Sequence, residues 1–362
     1  MKSVFFNPIA NIDGDNHLSV YEKIYRSGLN TGNRVFTDAI NQQIQFKMEG
    51  WFQSEEILEL DENNIGVLAC ANMLNIKDQF LDAIWERIAE LRFPVTLVGL
   101  GAQSTEELDT PKKLMSAMPK ERIQALSGIC NQTETIGIRG EFTAECLEIV
   151  GIKNYRVIGC PSLYKYENQY ELLRSPNVTK CLYHMAGNVE GEHKLLRFGM
   201  ENNLIWIMQS MVEMPRTVFE NCHLTKEAVL KRFPGYEDSI EALENYMRQK
   251  ARMFFSMKEW YTFLKQENFT FSFGGRFHGN VAALRCGIPA LWITHDSRTK
   301  ELTNLFHLPS IDVSQLQSIN SLEDFMPYCS YDDFYKTYPG MFREYKSFLE
   351  ENSIDHKWNK ES

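Results

Sequence analysis

None of the eight cysteines stands in a C-x-x-C pair, which leaves out the usual zinc and thioredoxin spacings. No G-x-G-x-x-G opens a helix after a strand, so the dinucleotide fingerprint is missing. No apolar run approaches the ~20 residues of a membrane span, and the opening MKSVFFNPIANIDGDN lacks the long apolar core of a secretory signal. Positive charge is short, with 38 Lys plus Arg against 48 Asp plus Glu and a formal net charge of −10. A phosphate-backbone partner more often meets a basic surface, so no nucleic-acid ligand is expected. Internal repeats, low-complexity tracts and acidic metal clusters are also missing. Most cysteines sit in apolar runs such as IGVLACANML and VIGCPSL, where Cys behaves as a small buried hydrophobe. A reducing cytoplasm is the expected setting.

What is present is ordinary globular material. A chain of 362 residues that is 43% hydrophobic suggests about two domains. From Ile65 onward, short apolar runs alternate with amphipathic stretches. IGVLACAN, VTLVGLG, TIGIRG and YRVIGCP read as strands, separated by the helical KDQFLDAIWERIAEL, RIQALSGICN and EFTAECLEIVG. CLYHM, LIWIMQS, FTFSF and IPALWITHD form a second set of strands. Such alternation implies βαβ units and parallel sheets, hence an α/β fold. The expected division is an N-terminal domain over 1–170, a second domain over 171–320 and a helical extension with a tail over 321–362. The terminal HKWNKES is expected to fray. Residues 1–64 give no clear pattern.

Ligands of consecutive α/β domains sit between them, at the carboxyl ends of the strands. The loops at those ends carry Asn72, Gly101 to Gln103, Arg139, His184, Gln209, Ser210, Gly274 to His278, and His295 to Lys300. Residues 269–302 hold the most chemistry. Phe269, Phe271 and Phe273 alternate as in a strand. Gly274 and Gly275 remove two Cβ atoms at the turn, which lets a ligand approach the backbone, while turn and helix–strand packing accounts equally well for these two and for Gly279. A helix starts near Phe277 and stops before Gly287 and Pro289, placing His278 and Gly279 in its first turn. Free N–H groups and the helix dipole favour an anion at that point, and Arg276 adds a guanidinium fork. The next strand delivers Asp296, Arg298 and Lys300, with Asp296 suited to cap a helix or to act as a base. Arg276, His278, Arg298 and Lys300 are thus expected to share one crevice.

The segment G-R-F-H-G-x3-A-L-x2-G-I-P-A-L, followed by D-S-R-T-K-E-L, resembles the polysaccharide pyruvyl transferases. VGLGAQS and IGIRGEFTAECLEIVGI resemble two upstream segments of that family, in the right order. The resemblance implies two Rossmann-like domains of the glycosyltransferase-B type with the active site between them. It implies transfer of a pyruvyl group from phosphoenolpyruvate to two hydroxyls of a glycan sugar, giving a pyruvate ketal. Arg276 and Arg139 would hold the donor and His278 would be the general acid. Gly274, Gly275, Gly279, Arg298 and Lys300 complete the expected donor side. Asn33, Asn72, Gly101 and Gln103 are the acceptor-side candidates. The family's N-x-G-D turn has two counterparts here, in MKSVFFNPIANIDGDN and in GLNTGN, and Gly140 replaces the usual acidic residue after the arginine. Asp296 and Glu213 remain open as bases.

No metal or redox cofactor is implied. The expected partners are phosphoenolpyruvate and a glycan or lipid-linked sugar, met in the cytoplasm with peripheral contact at the inner face of the membrane. The sequence carries no signal on oligomeric state. Two competing readings stand beside this one. The first is a nucleotide-sugar glycosyltransferase of the same architecture, for which Glu301 is the nearest ribose-binding carboxylate. The second is a non-catalytic relative that binds sugars or anions.

Overall fold

The computed structural model describes residues 2–360 apart from 7–16, 51–54, 77–79, 106, 166–169, 188, 190, 211 and 212. The apolar runs become short strands, most of them buried on both faces. β1 (Lys2–Phe6), β2 (Met48–Gly50), β3 (Asn64–Ala69), β4 (Val95–Leu100), β5 (Ile136–Ile138) and β6 (Tyr155–Val157) form one six-stranded sheet. β7 (Cys181–His184), β8 (Ile205–Ile207), β9 (Ala251–Arg252), β10 (Phe271–Gly274), β11 (Ala290–Thr294) and β12 (Ser310–Asp312) form a second. Every pairing is parallel. Parallel neighbours need crossovers, which the amphipathic segments supply as helices on the sheet faces.

Strand order locates the crevice. The first sheet runs β2-β1-β3-β4-β5-β6 and the second β12-β11-β10-β7-β8-β9. Read across the second sheet, the order changes direction between β7 and β10, which is the switch point of a doubly wound fold. It lies between His184 and Gly274, the last residues of those strands. The molecule is a pair of Rossmann-like α/β domains, each built on one parallel six-stranded sheet.

An apolar core runs through the contact between the domains. Val35, Phe36 and Ile40 of the helix Asn33–Gln43 share one buried cluster with Phe277 and Val281 of the helix Phe277–Arg285. The helix Asp332–Glu351 then straps both domains. Just before it, Tyr331 Oη donates to Ala290 O and accepts from Ala290 N, each at 2.7 Å. Farther along, Tyr345 Oη donates to Gln43 Oε1 at 2.9 Å, and Glu351 Oε2 meets Arg156 Nε at 2.8 Å.

The expectation of a frayed tail is corrected for residues 356–358. His356 is buried and bridges Ile44, Lys357 Nζ donates to Asn41 O at 2.7 Å, and the Trp358 ring centre lies 4.8 Å from that of Phe342, edge to face. One indole with an aromatic pocket in reach outweighs the polar residues around it. Residues 361 and 362 lie outside the described chain. Among the described residues no helix is long and apolar enough to cross a membrane.

Candidate active site

The turn after β10 is built from close approaches within the protein. Gly274 has φ +136°, and a Cβ there would lie 1.7 Å from His184 O. A Cβ on Gly275 would fall 2.3 Å from Glu192 Oε1, and one on Gly279 would fall 2.3 Å from His184 Nδ1 and 2.4 Å from Gln209 Nε2. Of the two readings of these glycines the structure shows packing: the space they leave is filled by protein groups. Asn280 pins the same turn. It is fully buried, donates to Gly274 O at 3.0 Å and Leu291 O at 3.1 Å, and accepts from Ser272 Oγ at 2.7 Å.

Arg276 and His278 point apart, as residues two positions apart at a helix start must. Arg276 is the N-cap residue of the helix Phe277–Arg285, and its side chain does not cap that helix. Its fork donates to Met185 O at 3.4 Å, to Ala186 O at 3.0 Å and to Ser210 Oγ. His278 turns the other way, toward the first domain. Its ring lies 5.4 Å from that of Phe36, and its Nε2 lies 3.4 Å from Cys160 Sγ. Burial holds its proton affinity well below the usual range, and Arg139 and Arg298 add to the effect. The resting imidazole is neutral.

The arginine beside His278 is thus Arg139, from the end of β5. It is 1% exposed, donates through Nε to Gly99 O at 2.9 Å and through Nη2 to Cys70 O at 3.3 Å, and lies 6.0 Å from the Phe36 ring centre. Gly101 serves it, since a Cβ there would meet Arg139 Cδ at 2.7 Å, so its expected acceptor role is corrected to packing.

Arg298 connects the two halves. Its charge lowers the proton affinity of Arg139, Arg276 and His278 alike, after burial in each case. Arg276 is brought down to about 10. The Arg298 Nη2 is 3.4 Å from Asp296 Oδ2, while its Nε is buried with no partner among the described residues. His295 Nδ1 and Glu192 Oε1 are buried and unpartnered in the same way. Lys300 pairs with Asp312 Oδ2 at 2.7 Å, at the end of β12, and lines the cavity between the domains together with His295, Asp296 and Glu301.

Asp296 is a helix cap. It accepts from Thr299 N and from Thr299 Oγ1, each at 2.8 Å, and Arg298, His295 and the Thr299 bonds outweigh burial to hold its carboxyl down at about 2. A carboxyl held that low is a weak acceptor of a hydroxyl proton. The Glu213 side chain and residues 7–16 lie outside the described residues.

Polar contacts cross the cleft between the domains. Gln103, whose Oε1 accepts from Asn72 Nδ2 within the first domain, donates through Nε2 to Asp296 Oδ2 at 3.3 Å. Ser104 N donates to Ser297 Oγ at 3.1 Å, and Thr143 N to Glu301 Oε2 at 3.2 Å. Beside them opens a cavity of about 890 Å³ lined by Ser104, Thr105, Glu141, His295, Asp296 and Glu301, among others. Asn33 is corrected as an acceptor group: its amide closes a local turn by donating to Ser27 O at 3.2 Å and Gly28 O at 3.3 Å. Sequence reading passed over Phe36, Cys160, Glu192 and Asn280, which carry no motif and are joined to the site only by the fold.

A family model described as polysaccharide pyruvyl transferase matches residues 94–297. No curated protein matches the sequence. Among solved structures, the UDP-GlcNAc 2-epimerase of Methanocaldococcus jannaschii, in complex with UDP-GlcNAc and UDP, is 14% identical, with 97% of this chain and 100% of that chain covered and a TM-score of 0.49. MnaA of S. aureus, determined with UDP, is 11% identical, with 98% of each chain covered and a TM-score of 0.47.

Proposed function

The chain belongs to the polysaccharide pyruvyl transferase family, and from that premise we propose that it transfers the pyruvyl group of phosphoenolpyruvate to two hydroxyls of a glycan sugar, forming a pyruvate ketal during synthesis of a cell-surface polysaccharide. The observation that carries this reading is Arg298, whose buried, unpartnered Nε lies in a field shared with Arg139, Arg276 and His278. Buried donors without partners are costly, and an anion relieves that cost.

Phosphoenolpyruvate brings a carboxylate and a phosphate. Arg139, Arg276 and Arg298 are assigned to them. His278 is assigned as the general acid that protonates the methylene carbon. Its surroundings hold it neutral, and the charge of the bound donor offsets the arginines and favours imidazolium. The interdomain cavity takes the acceptor sugar. No cofactor is assigned. A lipid-linked acceptor would bring the protein to the cytoplasmic face of a membrane.

Calorimetry with phosphoenolpyruvate and a panel of nucleotide sugars, followed by phosphate-release assays with glycan acceptors, tests the reading. Binding of phosphoenolpyruvate that weakens in Arg298→Ala supports it. Binding of nucleotide sugars alone replaces it with a glycosyltransferase. Donor binding without turnover on any acceptor favours a non-catalytic relative.

A further inference from the structure

Five carboxylates line the cavity between the domains: Asp109, Glu141, Glu145, Asp296 and Glu301. Asp109 pairs with Lys113 at 2.8 Å, and Glu141 and Glu145 are exposed to solvent. Asp296 is committed to its helix cap and to Arg298. Glu301 differs from all four. It sits on the helix Ser297–Phe306, is 8% exposed, and reaches across to the first turn of the helix Glu141–Ile149. There Oε1 accepts from Thr143 Oγ1 at 3.0 Å and Oε2 from Thr143 N at 3.2 Å. Gly140 makes room for it, since a Cβ there would come within 2.9 Å of Glu301 Oε2.

We propose that Glu301 is the general base that takes the proton of the attacking sugar hydroxyl, an assignment that rests on the pyruvyl-transfer reading above. The carboxylate stands at the wall of the cavity assigned to the acceptor sugar, and it packs on Gly140, next in the chain to the Arg139 assigned to the donor, whose charge it feels. The groups that act on it electrostatically are Arg139 from the first sheet, Asp296 from the cap of its own helix and the Cys146 thiol from the opposing helix, and the cavity wall around it also carries Lys300 and His307 from its own helix and its end, His295, Asp109, and Glu141 and Glu145 from the opposing helix. Burial, with Asp296, raises its pKa to about 7 against the pull of Thr143 and Arg139. A base tuned there both accepts and returns a proton near neutral pH.

The step balances. His278 protonates the methylene carbon, which becomes a methyl group and leaves C2 cationic. The first hydroxyl oxygen bonds to C2 as its proton passes to Glu301. The bond from C2 to the phosphate oxygen breaks with its electron pair, and Glu301 returns that proton to the departing phosphate. The second hydroxyl oxygen bonds to C2, and its proton restores His278. Of the two hydroxyl protons, one replaces the proton given to the methyl group and one leaves on phosphate.

A purely structural Glu301 would cap the opposing helix, and Glu301→Gln separates that role from catalysis. Its amide oxygen still accepts from Thr143 N but takes no proton. The expected result is a fall in kcat of at least about 100-fold, with the phosphoenolpyruvate dissociation constant and the thermal midpoint close to wild type. The wild-type kcat should rise with pH through a limb near 7, and Glu301→Asp should retain such a limb. Wild-type turnover in Glu301→Gln, or a flat wild-type profile across that range, overturns the assignment; the profile decides even if the variant does not fold. A wild-type protein that binds no phosphoenolpyruvate fails at the earlier reading instead.

Discussion

His278 and Arg139 share one aromatic ring: Phe36 lies 5.4 Å from the imidazole and 6.0 Å from the guanidinium. The histidine comes from the second domain, and the arginine and the ring from the first. The centre assigned to proton donation is therefore completed only when the domains meet. Arg276, two residues from His278 in sequence, faces the loop after β7 instead.

Replacing His278 by Gln should separate chemistry from binding. The imidazole rests on Phe36 and Cys160, while the donor's charges are assigned to arginines. Turnover should fall by about 10²- to 10⁴-fold, the range of a lost general acid, while donor affinity changes little. Steady-state kinetics paired with calorimetry measures both. Equal losses in the two would reassign His278 to binding.

Gly274 and Gly128 should respond oppositely to alanine. At Gly274, φ is +136° and the new Cβ would collide with His184 O at 1.7 Å, so Gly274→Ala should fail to fold or lose several kcal/mol. Gly128 lies inside the helix Lys120–Cys130, and a methyl group there would meet nothing within 4 Å. Gly128→Ala should stabilise by roughly 0.5–1 kcal/mol. Urea melts of the two variants check the contrast.

The parallel α/β fold was legible because strands such as β3 and β4 are unbroken apolar runs and their crossover helices keep a clear apolar face. β1 was not: five residues long, it pairs with strands that begin at Met48 and Asn64, and nothing local marks it. At the site, residue types and loops were readable from strand ends, but side-chain direction was not. Gly274, Gly275 and Gly279 fitted ligand approach and packing equally, and Gly101 looked like an acceptor contact; the fold uses all four to admit His184, Glu192, Gln209 and Arg139. Nothing local to Lys300 shows that β12 places Asp312 beside it.

Acid should weaken the fold through buried neutral histidines. Burial, with Arg276 nearby, takes His184 down to about 3, while in the unfolded chain it titrates near 6.5. Between those values the unfolded chain binds a proton that the folded one refuses, so stability drops as pH falls from about 6.5 toward 3. One such group contributes a slope of up to roughly 1.4 kcal/mol per pH unit. Glu301 has the opposite sign: its folded pKa is raised, so its contribution is lost as pH rises toward about 7. Urea midpoints between pH 7 and 5 should therefore fall more steeply in Glu301→Gln than in wild type, and less steeply in His184→Asn.

Arg298 offers the sharpest test of the donor site. It couples electrostatically to Arg139, Arg276 and His278, and its Nε has no partner among the described residues. Removing it takes one positive charge from the centre and leaves Asp296 without the cation that most lowers its pKa. Arg298→Ala should weaken phosphoenolpyruvate binding by about 10- to 100-fold, equivalent to roughly 1.4–2.8 kcal/mol. Arg298→Lys should recover only part of that, because an ammonium keeps the charge and loses the planar fork. Raising ionic strength should also cost the wild type more affinity than the alanine variant, since salt screens the charge that the variant lacks. Calorimetry at two salt concentrations reads all three outcomes. Wild-type affinity in Arg298→Ala would place the donor elsewhere and remove the observation on which the pyruvyl-transfer reading rests.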